Sequence, residues 1–291
     1  MMKQIKVFSY LLCIGLLVAC EKPILTDDIS IGATPKLTLS IYQLEQTTFS
    51  PLRAMLSEEC TRLNFAIYDL EGNRQKQINQ KVGDNDFGTV AFDLPQGTYQ
   101  LVALAHSSEG NPTMTNPAKV QFTNSLGYSD TFLYYTIVTI GDEPQTLALS
   151  LRRIVALCRF VISDVIPEGV VQLEFTYKGG SGHFDAKTGL GVTKSTQIER
   201  FSVQAGQQQT QYDLYTFLHH EEDDIQLKVV AYNAAGSPMY ERELDTIPMG
   251  QNKITWVKGE FFTNLTPSFS QSVTTTITID GTWGGEQYQS Y

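Results

Sequence analysis

Gly88-Thr89-Val90-Ala91-Phe92-Asp93-Leu94-Pro95-Gln96-Gly97-Thr98-Tyr99-Gln100-Leu101-Val102-Ala103 is the stretch that decides the fold class. Val90 and Phe92 alternate with small or polar neighbours, and Tyr99, Leu101 and Ala103 resume the same period after Leu94-Pro95-Gln96-Gly97. A period of two is the mark of a strand with one buried face. Pro95 and Gly97 supply the fixed φ and the permissive φ of a turn. The expectation over Gly88–His106 is a β-hairpin.

The same pattern recurs in both directions. Upstream, Leu37, Leu39 and Ile41 alternate, and Leu63, Phe65 and Ile67 follow before the turn Glu71-Gly72-Asn73. Downstream, strands are expected near Lys119–Thr123 and Tyr134–Ile140, with a short helical turn allowed between Asn124 and Leu133. Asp142-Glu143-Pro144 marks a break, after which Leu147, Leu149 and Leu151 repeat the alternation of Leu37, Leu39 and Ile41. Further strands are expected at Val155–Ser163, Val171–Tyr177, Ile198–Val203, Tyr212–Phe217, Ile225–Tyr232, Met239–Leu244, Asn252–Phe261 and Val273–Ile279. No sustained helical stripe appears. Short strands set apart by turns at this spacing predict an all-β chain of two tandem β-sandwiches, residues 37–144 and 145–291.

The chain of 291 residues carries 31 acidic against 21 basic side chains. Such a charge gives no electrostatic footing on nucleic acid, whose binding rests on Lys and Arg. An anionic membrane surface would repel it as well. Four cysteines are present, of which Cys60 and Cys158 alone lie in the strand-forming region. Cys158 shares the parity of Ala156, Phe160 and Ile162, whereas Cys60 has the parity opposite to Leu63, Phe65 and Ile67. One is expected in a core and the other outside it, so both are read as free thiols.

The first twenty residues are of another kind. Lys3 and Lys6 precede an apolar run from Val7 to Val18, too short for a membrane span and right for a secretory signal. The run closes on Leu17-Val18-Ala19-Cys20, which resembles a bacterial lipobox. That resemblance implies cleavage after residue 19 and acylation of Cys20, leaving a mature chain of net charge −12. Residues 20–36 then read as the lipidated Cys and a flexible tether, able to span about 50 Å at most.

The second half is similar to a known family. Leu151-Arg152-Arg153-Ile154-Val155-Ala156-Leu157 and Ile162-Ser163-Asp164-Val165-Ile166-Pro167 resemble the start of the second domain of FimB-type fimbrial anchor subunits, lipoproteins of Bacteroides-type pili. Leu94–Ala103 resembles the matching segment of their first domain. Gln251–Phe262, with Ile277, Ile279 and Trp283, resembles their last strands. The resemblance implies transthyretin-like sandwiches, attachment to the outer membrane through acyl chains, and pilin subunits of the same pilus as partners. It also implies joining by β-augmentation, in which main-chain hydrogen bonds hold a donated strand and alternating pockets select it.

Within that frame the candidate site is the C-terminal strand, with Val273, Thr275, Ile277 and Ile279 on one face. The bland alternative is that this strand completes its own sheet. Arg53, where a pilin-type cut would free the chain from Ala54 onward, reads as an ordinary loop residue, because an anchor gains nothing from losing its lipid. His219-His220-Glu221-Glu222-Asp223-Asp224 and Asp84-Asn85-Asp86 read as polar turns rather than metal sites, since they lack spaced ligands. Gly179-Gly180-Ser181-Gly182 lacks the following Gly-Lys-Ser/Thr of a phosphate loop. No nucleophile motif, cofactor site or metal site is expected. The other readings are a surface lipoprotein that binds glycan or host ligand, and a tip or structural pilin.

Overall fold

A computed structural model describes residues 36–44, 52–263, 276–280 and 287–290. The first elements are β1 (Leu37–Leu44), α1 (Leu52–Glu59), β2 (Arg62–Tyr68), β3 (Arg74–Lys81), β4 (Thr89–Phe92), β5 (Gly97–His106), β6 (Val120–Gln121), β7 (Thr131–Ile140) and β8 (Gln145–Arg153). A single 3₁₀ turn, Asn124–Leu126, sits where a short helical turn was allowed.

Seven of these strands run in the order β3-β2-β5-β7-β8-β1-β4. The join between β7 and β8 is only two residue pairs long, Phe132 with Arg153 and Leu133 with Arg152. The ribbon folds over at that join. Leu37, Leu39 and Ile41 of β1 therefore share a buried cluster with Leu63, Phe65 and Ile67 of β2 and with Leu101 and Ala103 of β5. The inward side chains are those that the period of two singled out.

Two expectations fail here for the same reason. β4 does not pair with β5. It pairs antiparallel with β1, Phe92 opposite Leu37 and Val90 opposite Leu39. The segment Leu94–Gly97 is thus an arch that carries the chain from one layer to the other, with Leu94 buried beneath it. Likewise Leu147, Leu149 and Leu151 do not open the second half. Their strand lies parallel to β1, with Leu39 opposite Leu147 and Ile41 opposite Leu149. A period of two reports which face is buried, not which strand lies alongside.

The later elements are β9 (Ala156–Ile162), β10 (Val170–Lys178), β11 (His183–Phe184), β12 (Gln197–Ser202), β13 (Thr210–Thr216), β14 (Glu222–Asn233), β15 (Pro238–Gly250), β16 (Ile254–Gly259), β17 (Thr276–Asp280) and β18 (Gln287–Ser290). They form one sheet of order β12-β10-β14-β15 and a second of order β13-β9-β16-β17-β18, in which β9 and β16 are parallel. Cys158, Phe160, Leu173, Phe175, Leu214, Leu227, Val229 and Val257 fill the space between them. The all-β, sandwich-like expectation holds.

The described residues, Lys36 onward, belong to one compact unit. A third buried cluster explains why. The outer face of β2 and β5 (Ala66, Tyr68, Val102, Leu104) is covered by Met114, Val120 and Phe122, and by Phe184, Ala186 and Phe217 from the later half of the chain. β6 and β11 pair across this seam, Val120 opposite Phe184. Phe122, Phe184 and Phe217 stack there with centroids 4.7–6.4 Å apart.

Both Cys60 and Cys158 are buried and free. Cys60 was expected outside a core. It lies before β2 begins, where strand parity does not apply, and its thiol donates to the Leu56 carbonyl at the end of α1 (3.1 Å). The two thiols occupy different clusters, and burial pushes each up to about 12.

Candidate functional site

Cys20, Val273 and Thr275 lie outside the described residues, as does the tether. Ile277 and Ile279 fall on β17, which pairs antiparallel with β16: Ile277 stands opposite Val257 and Ile279 opposite Thr255. Both β16 positions are buried. β17 in turn carries β18 on its other side, Ile277 opposite Gln289 and Ile279 opposite Gln287. The C-terminal strand pair therefore occupies the margin of the sheet, next to β16 and no other long strand.

The chain is held tightly where it leaves β16. The Asp164 carboxylate accepts the backbone N–H groups of Phe261 (2.9 Å), Phe262 (2.7 Å) and Thr263 (2.7 Å), together with the Thr263 hydroxyl (2.9 Å). Burial pushes the Asp164 pKa up, but these hydrogen bonds outweigh it and leave the group below the usual carboxylate range. Phe261 and Phe262 are buried beside one another, with ring centroids 4.9 Å apart. On the other face of the sheet Arg159 makes a bidentate pair with Asp213 (both 2.7 Å) and lies over the Trp256 ring at 5.0 Å. Rows of this kind across β13, β9 and β16 stiffen the face against which a terminal strand pairs.

Arg53 lies in α1, not in a loop. An eight-residue helix has too few turns for a legible stripe. It is pinned by Leu56, which is buried in the first core against the backbone of Gly88.

The polar runs are absorbed by structure. Glu222–Asp224 belong to β14, and Glu222 pairs with Lys253 at 2.7 Å. His219 Nδ1 bonds the Gly191 carbonyl at 2.8 Å. Asp84 accepts the Lys81 N–H, and Gln80 donates to the Asp86 carbonyl. Among the described residues, no three His, Cys, Asp or Glu side chains gather as a metal site. The glycines of Gly179–Gly182 permit close approach: a Cβ on Gly180 would meet Thr216, and one on Gly182 would meet Tyr128.

Sequence reading missed two buried titratable groups. His106 Nδ1 accepts the Ser108 N–H (3.2 Å), so its Nε2–H donates to Asn64 Oδ1 (2.8 Å). Burial, helped by the nearby Arg62 charge, lowers its pKa to about 3. Glu199 of β12 stands opposite Phe175, facing the interior, and Tyr177 Oη lies 2.7 Å from its Oε1 and 3.0 Å from the Tyr215 carbonyl. Burial raises Glu199 to about 7, with the Tyr177 hydrogen bond opposing. One phenolic proton cannot serve two acceptors, whereas a protonated Glu199 donating to Tyr177 satisfies every group. No periodic signal marks either residue, because each depends on a partner from a distant strand.

The profile of the family described as fimbrillin-A associated anchor proteins Mfa1 and Mfa2 matches residues 48–287. No curated protein matches the chain. Among solved structures, a Bacteroides thetaiotaomicron protein assigned to polysaccharide binding is similar at 14% identity and a TM-score of 0.51, with 88% of this chain and 98% of that one covered. A Bacteroides ovatus protein assigned as an adhesin is similar at 13% identity and 0.51, with 73% and 83% covered. The Porphyromonas gingivalis fimbrial anchor protein Mfa2 is similar at 15% identity and 0.46, with 89% and 100% covered.

Proposed function

The chain belongs to the family of fimbrillin-A associated anchor proteins, and from that membership we propose that it is a lipid-anchored fimbrial subunit. In this reading it holds or terminates a pilus at the outer membrane and joins its neighbour by β-strand addition. The observation that carries the reading is the extent of the family match, residues 48–287, which runs from α1 through β17 and so reaches into both pairs of layers. Acyl chains on Cys20 supply the membrane attachment, at about 0.8 kcal/mol per buried CH₂, so that several together hold where one is marginal.

The margin position of β17 supports strand addition. Among the described residues its departure breaks strand pairing with β16 and β18 only, while the Asp164 clamp keeps Phe261–Thr263 closed over the core. The vacated edge of β16, or the departing strand itself, then offers the main-chain groups of β-augmentation. The placement of Arg53 within α1 supports an uncut chain, because hydrogen-bonded helical backbone resists proteolysis until it opens.

The test is the mass of the N-terminal peptide from cell-surface material together with the phenotype of a deletion. An acylated Cys20 on an intact chain is expected. Polymerised protein beginning at Ala54 would make it a structural pilin instead. Loss of the protein is expected to release pili or change their length; pili that stay attached at normal length overturn the anchor role. Removing Val273–Ile279 is expected to abolish joining to pilin while the first pair of layers stays folded.

A further inference from the structure

Beside Glu199 the surface opens into a cleft of about 370 Å³ with mixed polar and apolar lining. Its walls are Ser107–Glu109 and Asn124–Tyr128, and its floor is Ile198–Phe201 of β12. The volume lies in the lower part of the ~300–1,000 Å³ range of small-molecule sites. The first wall is fixed from behind, where Arg62 donates to the carbonyls of Ser108 (3.1 Å) and Glu109 (2.6 Å). The walls are tied to each other by the Glu109 N–H, which donates to the Leu126 carbonyl (3.0 Å). The cleft is thus formed before any ligand arrives, which removes an ordering cost from binding.

Its chemistry narrows the occupant. β12 is an edge strand, and an open edge would invite a peptide strand. Here Asn124 Oδ1 accepts the outward N–H of Ile198 at 3.1 Å, so the first donor a peptide strand would need on this edge is already taken from the opposite wall. An anion would meet Glu109, and the guanidinium of Arg200 is already engaged by Glu174 at 2.6 Å. A purely apolar ligand would strand the polar groups that line the walls. What remains are groups that both give and take hydrogen bonds, set beside two aromatic rings. The Nδ2 group of Asn124, the Ser125 hydroxyl and Oε2 of Glu199 have no partner among the described residues. The rings of Tyr128 and Phe201 lie alongside.

We propose that this cleft is a binding site for a neutral saccharide, whose hydroxyls bond Asn124, Ser125 and Glu199 while a sugar face packs on Tyr128 or Phe201. The site uses no residue of β16, β17 or β18, so it would give a fimbrial subunit a ligand of its own without competing with strand addition.

The full-length protein is to be screened on a printed array of neutral and sialylated glycans, beside S125W, which fills the cleft from an exposed position, and N124A. Capture on neutral glycans is expected, with S125W abolishing it. N124A is expected to weaken it by roughly tenfold, the cost of one or two hydrogen bonds. The far-UV spectrum and melting temperature of S125W should match those of the wild type, which separates a blocked site from a damaged fold. Capture on sialylated glycans alone, capture by no glycan, or capture that S125W leaves unchanged would each overturn the assignment.

Discussion

Arg153 and Asp130 form a two-pronged ion pair, Nε to Oδ1 and Nη2 to Oδ2 each at 2.7 Å, at the place where the first seven-stranded ribbon folds over. The Arg153 side chain is 6% exposed and lies over the Phe132 ring at 4.7 Å, and its Nη1 reaches Asn252 Oδ1 beside β16 at 3.2 Å. One guanidinium therefore ties the end of β8 to the start of β7 and to the later sheets.

Removing one partner of a buried pair leaves the other charged and unpaired, at a cost of about 3–5 kcal/mol. R153M is expected to lose that much in urea unfolding, and D130N a similar amount. The double variant R153M/D130N should recover a substantial part of the loss, because it leaves no orphaned charge. A double variant as unstable as the sum of the two singles would show that the residues act independently.

The Asp164 clamp predicts a local effect. D164A removes one acceptor from three backbone donors, and hydrogen bonds to a charged group contribute about 1.5–3 kcal/mol each without adding fully. Hydrogen exchange at Phe261, Phe262 and Thr263 should accelerate together, ahead of β16 itself. Because the folded pKa is lowered, the stabilisation is present above the ordinary Asp value. It is lost as pH falls below that value through the folded pKa.

His106 predicts sensitivity to acid. Its folded pKa, about 3, lies below the ordinary histidine value of 6.5, so its contribution is whole above pH 6.5 and drains away as pH falls toward 3. The loss amounts to roughly 4–5 kcal/mol across that window. H106Q, which cannot titrate, should be less stable at pH 7 yet show a flatter profile from pH 6.5 downward. An unchanged slope would count against this origin.

Glu199 predicts the opposite dependence. Its folded pKa is raised from 4.5 to about 7, so the fold is best served while the group keeps its proton. Stability falls as pH rises from 4.5 to 7, by roughly 3 kcal/mol, and levels off above. E199Q should match the wild type near pH 4.5 and exceed its melting temperature at pH 8. A stability gap of the same size at both values would mean that Glu199 titrates normally.

Much of the layering was legible from the residues, because burial writes itself into alternation. Leu37, Leu39, Phe65, Leu101 and Phe175 all lie where their parity puts them. Pairing was not legible. Leu94-Pro95-Gln96-Gly97 has the residues of a tight turn and serves as an arch between layers, since Pro and Gly bend a chain without specifying where it goes. β3 went unread because Arg74-Gln75-Lys76-Gln77-Ile78-Asn79-Gln80-Lys81 carries the charge that protects a sheet edge, which hides the alternation. The cleft escaped notice because its floor lies far along the chain from its walls, and a Ser or Asn in a loop carries no sign of what faces it.

The parallel pairing of β1 with β8 also sets the order of events in folding. Leu37 meets Gln145 and Leu44 meets Leu151, so the first core cannot close until the whole span from β1 to β8 is present. β9 and β16 repeat the arrangement, Leu157 with Ile254. Chains dominated by such distant contacts fold slowly, in milliseconds to seconds, because loop closure must come before the contacts that reward it. A polypeptide that emerges N-terminus first can pair β1 with β4, but must leave the other edge of β1 uncovered while roughly a hundred further residues appear. Its unpaired strands then need shielding from one another, and a chaperone that meets the nascent chain would find β1 as its earliest client.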